Sequence, residues 1–153
     1  MVLSNSSFES SETSHFLPPS NVTASPEDVQ QLLKAIAEHK LSVTDEQAAR
    51  IANYCCLLWD WNSRLNLTRH TDWDLFVTRD LIDTIELAKH VAKDANVMDV
   101  GTGGGVPGIV LAILRPDLKI ALCESIGKKA AALESMVKAL RLPVIVYADR
   151  AEV

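Results

Sequence analysis

The chain has 153 residues, 48% of them apolar, with 20 acidic against 15 basic side chains and a formal charge of -5. That length fits one ordinary domain with an appended helical segment, which is enough for an apolar core and too short for two full domains. The acidic balance excludes a global basic field, so any nucleic-acid contact must come from a local patch or from a surface supplied by a partner.

Residues 1 to 24 read as a tail. Met1 to Thr23 is serine-rich, has no lysine or arginine, and carries only an isolated apolar patch at Phe16 and Leu17, so it cannot bury enough surface to offset ordering. A helical region is expected over 25 to 94. Ser25-Pro26-Glu27-Asp28 offers a cap, a proline at the first helical position and acids near the positive helix end, predicting a short helix through about Glu38. Thr44 begins a second helix, with Gln47 completing a capping-box pattern and Ala48, Ile51, Ala52, Cys55, Leu58 and Trp59 forming one apolar stripe. Trp61 to Thr68 breaks the period. Asp72 to Ile85 and Glu86 to Ala92 then read as further helical pieces, with Phe76, Leu81, Ile82 and Ile85 on the apolar side.

The character changes near residue 95. Val97 to Val100 is a short apolar run ending in glycines, Val106 to Leu114 resumes a helical pattern, and Lys119 to Cys123 reads as a buried strand. Gly127 to Leu140 reads as a helix and Val144 to Tyr147 as a third strand after the Leu142-Pro143 break. Strand, helix, strand, helix, strand predicts parallel pairing in an α/β fold. A doubly wound sheet needs further strands beyond its first, so residues 95 to 153 read as the first half of a Rossmann-like domain, truncated after the third strand. On that reading these residues alone are inactive, and the open edge at Val97 to Val100 predicts self-association.

Asp99-Val100-Gly101-Thr102-Gly103-Gly104-Gly105-Val106-Pro107-Gly108 lies between a strand and a helix, where glycines let backbone approach a ligand. No Gly-Lys-Ser/Thr follows, which excludes a nucleotide triphosphatase loop. Gly103, Gly105 and Gly108 satisfy the dinucleotide spacing, and Glu124 at the end of the second strand could hold an adenosine ribose of either a nicotinamide cofactor or a methyl donor. The acid two residues before Gly101-x-Gly103-x-Gly105 favours S-adenosyl-L-methionine, because Asp99 can orient the loop and meet the donor's ammonium group but would repel a pyrophosphate. The expected cofactor-binding set is Asp99, Gly101, Thr102, Gly103, Gly105 and Glu124, with Arg150, Ala151 and Glu152 flanking the adenine. Glu124 is expected to accept both ribose hydroxyls.

Cys55, Cys56 and Cys123 lie in apolar runs without ligand-like spacing, as expected of buried thiols in a reducing compartment. The start lacks the features of a secretory signal and nowhere do eighteen apolar residues run together, so a cytoplasmic protein without a membrane span is expected. His15, His39, His70 and His90 are scattered, and no metal site is predicted.

Trp61-Asn62-Ser63-Arg64-Leu65-Asn66-Leu67-Thr68, then Arg79-Asp80-Leu81-Ile82-Asp83-Thr84, then Asp99 to Ile109, then Glu124 to Lys129, then Arg150-Ala151-Glu152 together resemble the glucose-inhibited division protein B family, also called ribosomal RNA small-subunit methyltransferase G. The resemblance covers roughly Leu41 to Val153. It implies a class I S-adenosyl-L-methionine-dependent fold beside a helical N-terminal region. It also implies methyl transfer to N7 of a guanine in 16S ribosomal RNA, as free RNA or in the small ribosomal subunit. Asn66, Arg79 and Asp83 would then shape the pocket, and Arg64, Arg69 and Arg79 could meet phosphates. The family usually has histidine where this chain has Asp80, and lysine or arginine more often than serine at position 63. A nicotinamide oxidoreductase and a non-catalytic RNA- or protein-binding module are the alternatives.

Overall fold

A computed structural model describes residues 22–151. The expected tail as far as residue 21, His15, and the adenine-flanking reading of Glu152 lie outside the described residues. Helix α1 (Pro26–Glu38) opens with a reciprocal cap: Asp28 N–H donates to Ser25 Oγ and Ser25 N–H to Asp28 Oδ2. Helix α2 (Asp45–Asn62) repeats the device with Thr44 and Gln47. Gln47 does double duty, since its Nε2 donates to the Leu114 carbonyl of a later helix (3.3 Å).

The apolar stripe expected on α2 is present but too narrow a description. Tyr54, Leu57 and Trp61 are buried as well, and α2 packs on α1 and on two helices of the α/β part. The stripe's last member, Trp59, is only half-buried and meets Trp73 edge-on with ring centres 4.6 Å apart. Cys55 and Cys123 are buried, but Cys56 is half-buried beside Asp28. Burial, reinforced by that carboxylate, pushes the Cys56 thiol up to about 11.

The two helical pieces expected between Asp72 and Ala92 form one run without a break at Ile85. It comprises α3 (Trp73–Phe76), a π-helical turn (Val77–Leu81) and α4 (Ile82–His90). Asp72 caps its start by accepting from Leu75 N–H (2.8 Å). The π turn accommodates an extra residue, and Phe76, Val77, Leu81 and Thr84 all reach the interior. At the other end Arg115 collects the run's carbonyls: its Nη1 donates to Ala88 (2.7 Å) and Val91 (3.2 Å), while Nε and Nη2 form a fork on Asp117 (2.7 Å each).

Strands β1 (Asn96–Val100), β2 (Lys119–Cys123) and β3 (Ile145–Tyr147) form a parallel sheet in that order, with α5 (Gly108–Leu114) and α6 (Gly127–Ala139) as crossovers. This is the Rossmann-like α/β pattern, with β1 at an edge of the described sheet. The third strand is one residue shorter than expected. Pairing aligns Asp99 with Leu122 and Met98 with Ala121 and Ile145, so the sheet's two faces differ. Ile120 and Leu122 point into the core, whereas Met98, Val100, Ile145 and Tyr147 are 46–58% exposed on the opposite face. The second strand, expected to be buried, is so at Ile120, Leu122 and Cys123, whereas Lys119 is exposed and Ala121 half-buried. One continuous apolar cluster runs from Leu32 in α1 to Leu142 before β3.

Candidate active site at the glycine loop

The loop after β1 is ordered by its own acid. Asp99 Oδ2 accepts from Thr102 Oγ1 (2.7 Å) and from Gly108 N–H (2.9 Å), joining the start and end of the turn. Only hydrogen fits at Gly108, where a methyl group would meet Asp99 Oδ2 at 2.8 Å and collide with Leu122. Gly101 is the opposite case: its φ of +71° favours glycine, yet nothing lies within 4 Å of where a side chain would start. Backbone is thus open to a ligand at Gly101 and pressed against protein at Gly108.

The loop is held from two further directions. Glu124, at the end of β2 and 6% exposed, accepts from Gly103 N–H at Oε2 (3.1 Å) and from Ile126 N–H at Oε1 (2.9 Å). Its own amide donates to Tyr147 O (3.0 Å), which fixes it against β3. From α2, the buried Tyr54 hydroxyl donates to the Gly104 carbonyl (2.8 Å). Burial pushes the Tyr54 pKa well above the usual phenol value, so it remains a donor at neutral pH.

Two clefts flank this loop. The larger, about 680 Å³, is lined on one side by Thr102, Gly103 and Gly104 and on the other by Asn66 to His70 and Asp80. The smaller, about 310 Å³, lies at the ends of the strands and is lined by Val100, Gly101, Cys123, Ser125 and Asp149 to Ala151. There Cys123 Sγ–H donates to the Asp149 carbonyl (3.2 Å), tying β2 to the segment after β3.

The structure therefore gathers Asn66 with Thr102 and Gly103, and Arg150 and Ala151 with Gly101. Arg79 and Asp83 are exposed and line neither cleft. The bonds that pin the 62–68 turn come from Asn62, whose Oδ1 accepts from Leu67 N–H (2.8 Å) and Thr68 N–H (2.9 Å). Arg64 pairs with Asp60 (2.7 Å) and lies over the Trp61 ring (4.3 Å), while Arg69 and Arg79 are exposed. Sequence reasoning missed Tyr54, Asn62 and the pair His70 with Asp80. Asn62 stood inside a quoted motif; Tyr54 lay off the apolar stripe and gave no local signal. Among the described residues no group of three His, Cys, Asp or Glu could hold a metal, and no helix is long and apolar enough to cross a membrane.

Comparison with known proteins matches residues 47–153 to the family model described as rRNA small subunit methyltransferase G. A protein of Rhodopirellula baltica named ribosomal RNA small subunit methyltransferase G is 48% identical over 118 residues, covering 77% of this chain and 51% of that protein. Proteins of the same name from Chromobacterium violaceum and Moorella thermoacetica are 40% and 41% identical, covering 80% and 75% of this chain and 59% and 49% of their own lengths. The chain spans about half the length of the curated relatives it matches.

Proposed function

The chain belongs to the rRNA small subunit methyltransferase G family, and on that premise we propose that the protein methylates N7 of a guanine in 16S ribosomal RNA. The donor is S-adenosyl-L-methionine, the substrate is free RNA or the small ribosomal subunit, and the reaction takes place in the cytoplasm. The observation that carries the reading is the buried Glu124 carboxylate, locked by backbone amides between the glycine loop and α6. Each of its oxygens keeps a second lone pair, which suits two ribose hydroxyls.

The open side of Gly101 and the smaller cleft fit the adenosine part, with backbone groups of Arg150 and Ala151 at the adenine edge. The backbone from Gly101 to Gly105 runs along the sugar and methionine parts. Asp99 acts by holding Thr102 and Gly108, which leaves its other oxygen for the donor's ammonium group, directly or through water.

When bound, the donor supplies an electrophilic sulfonium methyl group. Guanine N7 already has an available lone pair, so the protein's task is alignment and exclusion of water rather than removal of a proton. Asn66 shapes the mouth of the larger cleft. Arg79 and Asp83 stand exposed on the helix that carries Asp80, where Arg79 suits an RNA phosphate. Family membership favours the methyl donor over the nicotinamide alternative that the glycine spacing also allows.

Calorimetric titration of S-adenosyl-L-methionine and, separately, NAD into the full-length protein tests the cofactor. Saturable donor binding is expected, weakened about tenfold or more in Glu124→Ala. Unchanged affinity in the variant removes the Glu124 role, and NAD binding without donor binding reverses the cofactor. Failure to transfer labelled methyl to small-subunit RNA or subunits would favour the non-catalytic binding module.

A further inference from the structure

Among the described residues Asp80 is the sole carboxylate in the lining of the larger cleft, where it shares the wall with Asn66, Arg69 and His70 and faces the glycine loop. It sits in the π-helical turn, a local widening that recurs at functional sites. Its side chain is 14% exposed, and its Oδ2 lies 2.8 Å from His70 Nδ1. His70 is itself fixed: its amide donates to Thr68 Oγ1 (3.0 Å) and its carbonyl accepts from Trp59 Nε1 (2.9 Å). The carboxylate is therefore preorganised, with Oδ1 and one lone pair of Oδ2 not engaged by any described residue.

Resting on the RNA-methylation reading above, we propose that Asp80 selects the base, its two oxygens accepting the N1–H and 2-amino hydrogens of guanine while His70 holds the carboxylate in place. If N7 is to face the methyl donor, recognition falls to the opposite edge of the purine. On that edge guanine offers two adjacent donors, which match a carboxylate's two acceptors. Adenine offers an acceptor at N1 and is rejected by the same oxygens. Reading a displaced base through its pairing edge is a general solution for enzymes acting on nucleobases.

The test uses the full-length protein, the isosteric Asp80→Asn, and small-subunit RNA carrying either guanosine or inosine at the position the parent methylates. Inosine keeps N7 and N1–H but lacks the 2-amino group. Donor affinity is expected to be unchanged in Asp80→Asn, while kcat/KM on the guanosine RNA falls roughly tenfold to a hundredfold. The parent should prefer guanosine to inosine, and the variant should treat the two nearly alike. His70→Gln should erode the same preference less. A variant that retains the parent's rate or its guanosine preference overturns the inference while leaving the methyltransferase reading intact. Loss of donor binding in Asp80→Asn would assign Asp80 a structural role instead. If the parent transfers no methyl group to RNA, the underlying reading fails and this inference falls with it.

Discussion

Tyr54 and Gly108 set the glycine loop's shape from opposite sides, one by a hydrogen bond and one by having no side chain. Tyr54→Phe leaves the Gly104 carbonyl without its buried donor, which should cost about 1–3 kcal/mol of stability. Denaturant unfolding would measure it, and a weaker donor affinity in the same variant would show that the loss reaches the site. Gly108→Ala forces a methyl group against Leu122 and the Asp99 carboxylate, an overpacking expected to cost about 1–3 kcal/mol. A variant as stable as the parent would mean that the loop relaxes freely. At this scale the sequence was legible wherever one residue type has one use. The places of Asp99, the glycines and Glu124 are readable from spacing because the strand ends fix where they fall. Tyr54 is not, because its partner is a backbone carbonyl 50 residues away. Asn62 and Asn66 belong to one motif, and only the turn's actual path shows which of them reaches the amides of Leu67 and Thr68.

Helix ends were readable and helix interiors less so. Ser25 and Thr44 announce α1 and α2 through side chains that have one local geometry to satisfy. The π turn at Val77–Leu81 has no comparable signature: it replaces one hydrogen-bond offset by another while every residue stays helical. The clamp between the end of α4 and the start of β2 depends on Arg115 and Asp117. Hydrogen bonding to the Arg115 guanidinium, and then to the Asp94 amide, holds the Asp117 carboxyl below the usual carboxylate range. A carboxyl lowered on folding contributes stability that is full above its unfolded value near ~4 and is lost as the solution is acidified through its depressed value. Asp117→Asn should therefore lower the Tm at pH 7, with the gap from the parent closing as pH falls below ~4. Melting curves across that range decide it; a gap independent of pH would show that the ion pair is not the source.

Across the molecule, the division into a helical region and a sheet was legible from the change in periodicity near residue 95, but their shared interior was not. A one-stripe reading of α2 gives that helix a single partner, whereas it packs on α1 and on α5 and α6 at once. The apolar cluster is continuous across the boundary, so the two parts should unfold together. All three tryptophans, Trp59, Trp61 and Trp73, lie on the helical side, which makes their fluorescence a reporter of that side alone. Its transition in urea should coincide with the far-ultraviolet circular dichroism of the whole chain, and two separated midpoints would contradict a common core.

The most direct measurement gives the full-length protein S-adenosyl-L-methionine labelled in its methyl group, offers it small ribosomal subunits and naked 16S RNA, and maps any label to the nucleotide and atom. The account predicts label on N7 of a guanine, abolished or strongly reduced in Glu124→Ala. A protein that binds the donor yet leaves both substrates unlabelled, or that places the methyl group on another atom, would contradict it.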